Sequence, residues 1–346
     1  MAIGLGALVW FLLLATSHPG TVQGTVVQNF QECHSFFKDG IPPQGFENMG
    51  NLVRICQRKE NRYHFATLYR TDLRIPVYSA YMYLRARDMV EIQRPCDWFY
   101  EPQIDDPTAS PEMESSKNKN STKQAVDTDY EKSGYDRGHL YPYTFNAQDS
   151  PEASCTLTNA IPQTGEDNKK WYHYAERCIK DLAKICSNAG SRMYVVTGSA
   201  KYTGRKMKNK VEVPGLIWSA ACCTSSGRLE VLSSPEEMEV TPVNTQKDFS
   251  IAFMKELLTG KTVTKMTVLQ LESKLKVKIF NQCRGTSQTD EEENYQEVNA
   301  LLKEKWCEIP ELEKDSERNR LSWLRKLVQE LKRAFLAFLE YFLPQD

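Results

Sequence analysis

Four consecutive residues, Asp136-Arg137-Gly138-His139, hold the densest chemistry in the chain. A histidine titrates near neutrality and can take a proton from water. The arginine two positions before it is permanently charged and can fork two donors onto phosphate oxygens. Gly138 between them allows a backbone conformation that a Cβ would hinder. A base beside an anion clamp suits cleavage of a phosphodiester, provided something stabilises the leaving oxygen. A hard divalent cation does so, and it takes oxygen ligands. Downstream, Thr158-Asn159-Ala160-Ile161-Pro162-Gln163 precedes Asn168 at the start of an amphipathic stretch. The Asn168 amide can offer its oxygen to such an ion, or it can cap the helix, asparagine being among the best capping residues. Taken alone the residue favours the cap; together with His139 it favours the ligand.

These side chains need a scaffold, and the patterning describes one. Over 166–186, Trp171, Tyr174, Cys178, Ile179, Leu182 and Ile185 recur at helical spacing and predict one amphipathic helix. Residues 64–69 and 75–83 are rich in β-branched and aromatic side chains and read as strands joined in hairpin fashion by 70–74. Pro76 suits an edge or strand-entry position. Residues 192–198 and 211–222 read as further strands, and 245–258 as a second helix stopped by Gly260. Residues 105–128 are rich in Ser, Asn, Lys and Pro and read as a long exposed loop. That loop carries the sequon Asn120-Ser121-Thr122, a glycan acceptor in a secreted chain. The fold class is α+β.

The 346 residues are 26% charged and 40% hydrophobic, which excludes collagen-like, low-complexity and wholly disordered chains. A net charge of −1 gives no global signature of nucleic acid or membrane. Locally, 11 Lys and Arg lie between 169 and 212 against three acidic residues. Lys169, Lys170, Lys201, Arg205, Lys206, Lys208 and Lys210 suit contact with a phosphate backbone without base readout, or a solvated loop. Residues 1–24 read as a signal peptide: an apolar stretch to residue 14, then small residues Ala15 and Ser17 before His18, with Val22 and Gly24 as a second cleavage position. This predicts a secreted, extracellular protein. Ten cysteines follow that segment, with no CxxC pair and with Cys222 and Cys223 adjacent, so disulfides are expected and their connectivity stays open. No internal run reaches the roughly 20 apolar residues that span a bilayer. Residues 286–320 read as a charged linker. Residues 321–343 form an amphipathic pattern that could lie in a membrane interface, pack on the body or self-associate, so the oligomeric state stays open.

Asp136–His139, the Thr158-to-Gln163 segment, and Asn168 followed by Trp171, Tyr172 and Glu176 together resemble the DNA/RNA non-specific endonucleases of the ββα-metal (His-Me finger) type. Residues 65–81, 101–107, 127–130, 137–142 and 218–223 are similar to one secreted group of that family, and the resemblance runs over about 27–285. It implies a ββα-metal core on a mixed, mainly antiparallel sheet with flanking helices, and an endonuclease-like domain over 25–285. It also implies a metal-dependent hydrolase that cuts DNA and/or RNA without sequence preference, using one divalent cation of the Mg²⁺ type. Carried over by position, His139 is the general base, Asn168 the single protein ligand of the ion, and Arg137 the phosphate contact. Glu176 orients water at the ion, Arg94 stabilises transition-state charge, and Asp136 and Asn159 support the site. Tyr141-Pro142 replaces the small apolar residues common after this motif, and the aromatic arrives at both Trp171 and Tyr172. The alternative is a catalytically silent extracellular binding or membrane-surface protein that keeps the fold.

Overall fold

The computed structural model describes residues 25–83, 96–145, 151–225, 248–283, 288–304 and 307. The N-terminal apolar segment, Arg94 and the amphipathic pattern at 321–343 lie outside the described residues. Ten strands matter for the site: β1 (Val26–Val27), β2 (Leu52–Lys59), β3 (Arg62–Arg70), β4 (Ile75–Met82), β5 (Asp136–His139), β6 (Ala160–Gln163), β7 (Arg192–Ala200), β8 (Leu216–Thr224), β9 (Phe249–Glu256) and β10 (Thr264–Met266). Eight of them form one sheet in the order β1-β2-β3-β4-β7-β8-β9-β10, and every neighbouring pair is antiparallel. Its edges are strands of two and three residues, too short to template pairing with another chain.

Both faces of this sheet are covered. On one, Tyr81, Val195, Ile217 and Phe253 pack under two helices, α1 (Gly165–Trp171) and α2 (Arg177–Asn188), through Trp171, Ile179 and Leu182. On the other, Tyr78, Val196, Trp218 and Ala252 pack against Phe30, Phe37 and helix α3 (Val268–Leu275). Successive side chains of a strand point to opposite faces, and this resolves the adjacent cysteines of β8. Cys223 bonds Cys186 of α2 on the first face, and Cys222 bonds Cys283 on the second. Two more disulfides, Cys33–Cys56 and Cys96–Cys155, tie loops to the sheet and to the site.

Several elements differ from the sequence expectation. The helix expected over 245–258 is strand β9, because Phe249, Ser250, Ile251, Ala252 and Phe253 are all buried between β8 and β10. A strand covered on both faces shows an unbroken apolar run, which periodicity cannot tell from a buried helix. The strand expected over 211–222 is divided: Val211–Glu212 joins Lys206–Met207 in a separate ribbon, and β8 begins beyond Pro214-Gly215. Pro76 enters an interior strand at its second residue, next to a register shift between Leu68 and Tyr69. The stretch 105–128 is anchored rather than loose, with Met113, Ser116, Gln124 and Val126 buried, while Asn120 of the sequon is exposed. Within the expected linker, helix α4 (Gln288–Glu304) packs Val298 and Leu302 into the core, and its Asn294 donates to the Ser250 carbonyl at 2.9 Å.

Glu101 is wholly buried, accepting from the Thr156 hydroxyl at 3.0 Å. Burial pushes its carboxyl up to about 8 from an ordinary 4.5, only partly opposed by the Thr156 and Thr158 hydroxyls. The folded chain therefore holds this proton over a range where the unfolded chain has released it. Stability from this group is complete below about 4.5 and is lost as pH rises through about 8, a change on the order of a few kcal/mol. Melting temperatures taken across pH 5–9 should fall with a slope that Glu101→Gln flattens; an unchanged slope would mean that Glu101 is ionised in the fold.

Candidate active site

Strands β5 and β6 pair antiparallel in the register Asp136↔Gln163, Arg137↔Pro162, Gly138↔Ile161 and His139↔Ala160. One residue later α1 begins, so the chain builds a ββα unit from 136 to 171. Gly138 is needed here for close approach and not for a left-handed backbone. A Cβ on it would lie 2.0 Å from the Gln163 side-chain oxygen, while its φ stays outside the positive range.

Asn159 fixes this unit to the sheet. Its amide oxygen accepts from Ser79 Oγ at 2.8 Å and from the Tyr141 N–H at 2.9 Å, and its nitrogen donates to the Tyr141 and Ser154 carbonyls at 3.0 and 2.8 Å. The chain of bonds continues inward through Ser79, Thr67 and Gln57, whose Nε2 reaches Thr67 and Thr158. A buried amide with all its bonding capacity used holds one geometry. The backbone just beyond His139 is thus registered on β2, β3 and β4.

Helix α1 is capped by Thr164, which accepts from the Asp167 N–H at 3.1 Å. Asp167 in turn forms a buried ion pair with Lys255 of β9 at 2.8 Å. Asn168 is therefore not the cap. Its Nδ2 donates to Asp136 Oδ2 at 3.1 Å, which leaves the carbonyl oxygen as the remaining end of the amide. After Trp171 the helix widens into a π-turn, Tyr172–Glu176, before α2 resumes. Four α-helical residues overshoot one full turn by about 40°, whereas four residues of a wider π-turn fall short of one. Asn168, Tyr172 and Glu176 consequently stay on one face, while Trp171 turns into the core. The doubled aromatic of the sequence is resolved in this way: Trp171 is packing, and Tyr172, 42% exposed, is surface.

His139, Arg137, Asp136, Asn168, Glu176 and Lys169 line a single cleft of about 620 Å³, together with Trp98, Tyr135, Tyr143 and Tyr172. The Trp98 ring stands 4.9 Å from the His139 ring and 5.4 Å from the Arg137 guanidinium. Tyr130 covers the other guanidinium contact at 5.3 Å, and Nη2 of Arg137 pairs with Asp127. The clamp expected from sequence is thus a held arginine with fewer donors to spare. Trp98 and Asp127 carried no role in the sequence reading. Trp98 is placed by the Cys96–Cys155 disulfide and by its carbonyl accepting from the Ser116 N–H at 2.7 Å, contacts between segments distant in sequence.

The other basic candidates lie outside this cleft lining. Lys170 pairs with Glu166 at 2.6 Å, Lys201 with Glu256 at 2.6 Å and Lys210 with the buried Asp129 at 3.3 Å. Lys208 donates to the Thr128 and Glu131 carbonyls. Arg205 and Lys206 are exposed on the neighbouring ribbon.

The donors present fit one hard cation in an open site. Asn168 offers an amide oxygen to the cleft, with the Asp136 and Glu176 carboxylates in the same lining to orient that amide and bound water, oxygen chemistry of the kind that Mg²⁺-like ions prefer. Among the described residues no group of three or more His, Cys, Asp or Glu is placed to hold a metal ion, so a cation here would depend on the Asn168 amide and water. The arrangement combines a base, an anion contact and oxygen donors in one cleft, the set required for hydrolysis of a phosphate ester.

The family model for DNA/RNA non-specific endonucleases matches residues 42–251. The chain is 37% identical over 235 residues to the human endonuclease domain-containing 1 protein, covering 64% of this chain and 46% of that protein. The mouse protein of the same name is 38% identical over 207 residues, 57% of this chain and 40% of its own length. A Nostoc protein named nuclease is 28% identical over 146 residues, 42% of this chain and 50% of that protein. The chain thus spans about half the length, or less, of the curated relatives it matches. A crystal structure of the EndoG/EndoGI complex aligns with a TM-score of 0.42 and 15% identity over 69% of this chain and 89% of that chain.

Proposed function

The chain belongs to the DNA/RNA non-specific endonuclease family, whose model matches well over half of it, and from that premise we propose a secreted, metal-dependent endonuclease that hydrolyses DNA and/or RNA without sequence preference. The observation that carries the reading is the convergence of His139 and Asn168, 29 positions apart in sequence, on one cleft. His139 takes the proton from the attacking water as that oxygen bonds to phosphorus. Arg137 meets the phosphate oxygens with the N–H groups that Asp127 leaves over. Asn168, oriented by Asp136, holds one divalent cation, which when bound supplies Lewis-acid stabilisation of the leaving oxygen. Glu176 orients water beside it, and Arg94 adds positive charge toward the transition state. Lys169, exposed at the cleft, steers the backbone of the substrate.

Secretion rests on residues 1–24 as a signal peptide, and four disulfides accord with an oxidising compartment. The exposed Asn120 is the glycan site in this reading. The endonuclease domain begins at about 25 and, with α4 packed into its core, runs past the expected boundary at 285, and 321–343 is an amphipathic segment available to a membrane interface.

The test is direct. Purified chain incubated with plasmid DNA and with structured RNA in Mg²⁺ should degrade both to fragments with no common end sequence, and EDTA should arrest it. Protein that cuts neither substrate across Mg²⁺, Mn²⁺ and Ca²⁺ would leave a binding module on a nuclease fold.

A further inference from the structure

Eight of the ten cysteines are joined in four disulfides, and the remaining two, Cys178 and Cys307, are both buried. They are 129 residues apart, yet they meet. The Cys178 thiol lies 3.9 Å from the Cys307 carbonyl oxygen, which sets the two cysteines side by side. Cys178 stands on α2, two residues beyond Glu176. Cys307 follows α4 and is held there by its N–H donating to the Leu302 carbonyl at 3.1 Å. Val298 and Leu302 of α4 are buried in the same core cluster as Cys178, so packing brings this pair together independently of any bond between them.

We propose that Cys178 and Cys307 are the site of a fifth disulfide, closed as α4 docks on the sheet during oxidative folding. Two thiols in contact in a chain that oxidises its other eight would be the exception if they stayed reduced. The chemistry divides between them. Cys178 keeps its proton, pushed up by its hydrogen bond to Cys307 and by burial, whereas that hydrogen bond holds the Cys307 thiol below its ordinary value. The Cys307 thiolate attacks one sulfur of a small disulfide such as oxidised glutathione, forming a mixed disulfide and expelling one thiolate. Cys178 then loses its proton and attacks the Cys307 sulfur, expelling the second thiolate. The small disulfide gains two electrons and both protons, leaving as two thiols, while the protein gains one S–S bond. The bond would tie the helix that carries the cleft's Glu176 to the segment after α4, which no other disulfide reaches among the described residues.

The full chain, expressed into an oxidising secretory compartment, is quenched in acid and then denatured with N-ethylmaleimide in the absence of reductant. The expected intact mass carries no maleimide adduct, and proteolysis yields a peptide pair joining Cys178 to Cys307 that separates on reduction. C178S and C307S should each expose one reactive thiol per chain. Two maleimides on wild type, at Cys178 and Cys307, would overturn the assignment. So would either cysteine found joined to a third cysteine or to a second copy of the chain.

Discussion

His139→Ala should lower the rate of plasmid and RNA cleavage by roughly 10²–10⁴-fold, the range that a positioned general base contributes. The imidazole sits on a strand whose partner, β6, is fixed by Asn159, with the Trp98 ring 4.9 Å away, so its position is set by the fold and not by the substrate. Removing it takes away the proton acceptor and leaves the four hydrogen bonds of Asn159 in place. The melting temperature should therefore stay within a few degrees of wild type while activity is lost, and imidazole added to the assay should restore part of the rate. A variant that cuts at the wild-type rate would move the base elsewhere in the cleft and with it the whole assignment of roles.

Asn168→Ala is the second large effect. A cation's stabilisation of the leaving oxygen is worth several kcal/mol, so displacing it costs about 10²–10³ in rate. The informative readout is the ion requirement, because a lost ligand raises the Mg²⁺ concentration at half-maximal activity, whereas a lost structural contact does not. Asn168→Asp tests the partnership with Asp136 at 3.1 Å. It replaces the donating nitrogen with an acceptor and sets two carboxylates against each other. It should therefore perturb the ion requirement even though the new side chain is a better cation ligand in isolation. An unchanged ion profile in both variants would place the cation site away from Asn168.

The Arg137 environment bears on how tightly substrate is held. Its pairing with Asp127 and its position between Trp98 and Tyr130 restrain the guanidinium before any phosphate arrives. Of the basic residues that the sequence offers between 201 and 210, Lys201, Lys208 and Lys210 are engaged with carboxylates or carbonyls of the chain itself. A charge count along the sequence could not anticipate this, because the acids that meet these lysines lie far away: Glu256 for Lys201, and Asp129 for Lys210.

Local order and residue type were sufficient for much of the rest. The strands around 64–69 and 75–83 and the helical spacing over 166–186, interrupted in the structure by the π-turn, depend on neighbours a few residues apart, which sequence records directly, whereas the ββα core was implied by the family resemblance. Strand β9 was misread as a helix because burial on both faces erases the alternation that identifies a strand. The pairing of eight of the ten cysteines, the cap at Thr164 that releases Asn168, and the placement of Trp98 beside His139 were decided only by the tertiary structure. Each joins groups distant along the chain, and their meeting depends on which face of the sheet each segment covers. Chemical capacity is a property of residue types and was legible from the start; proximity is a property of packing.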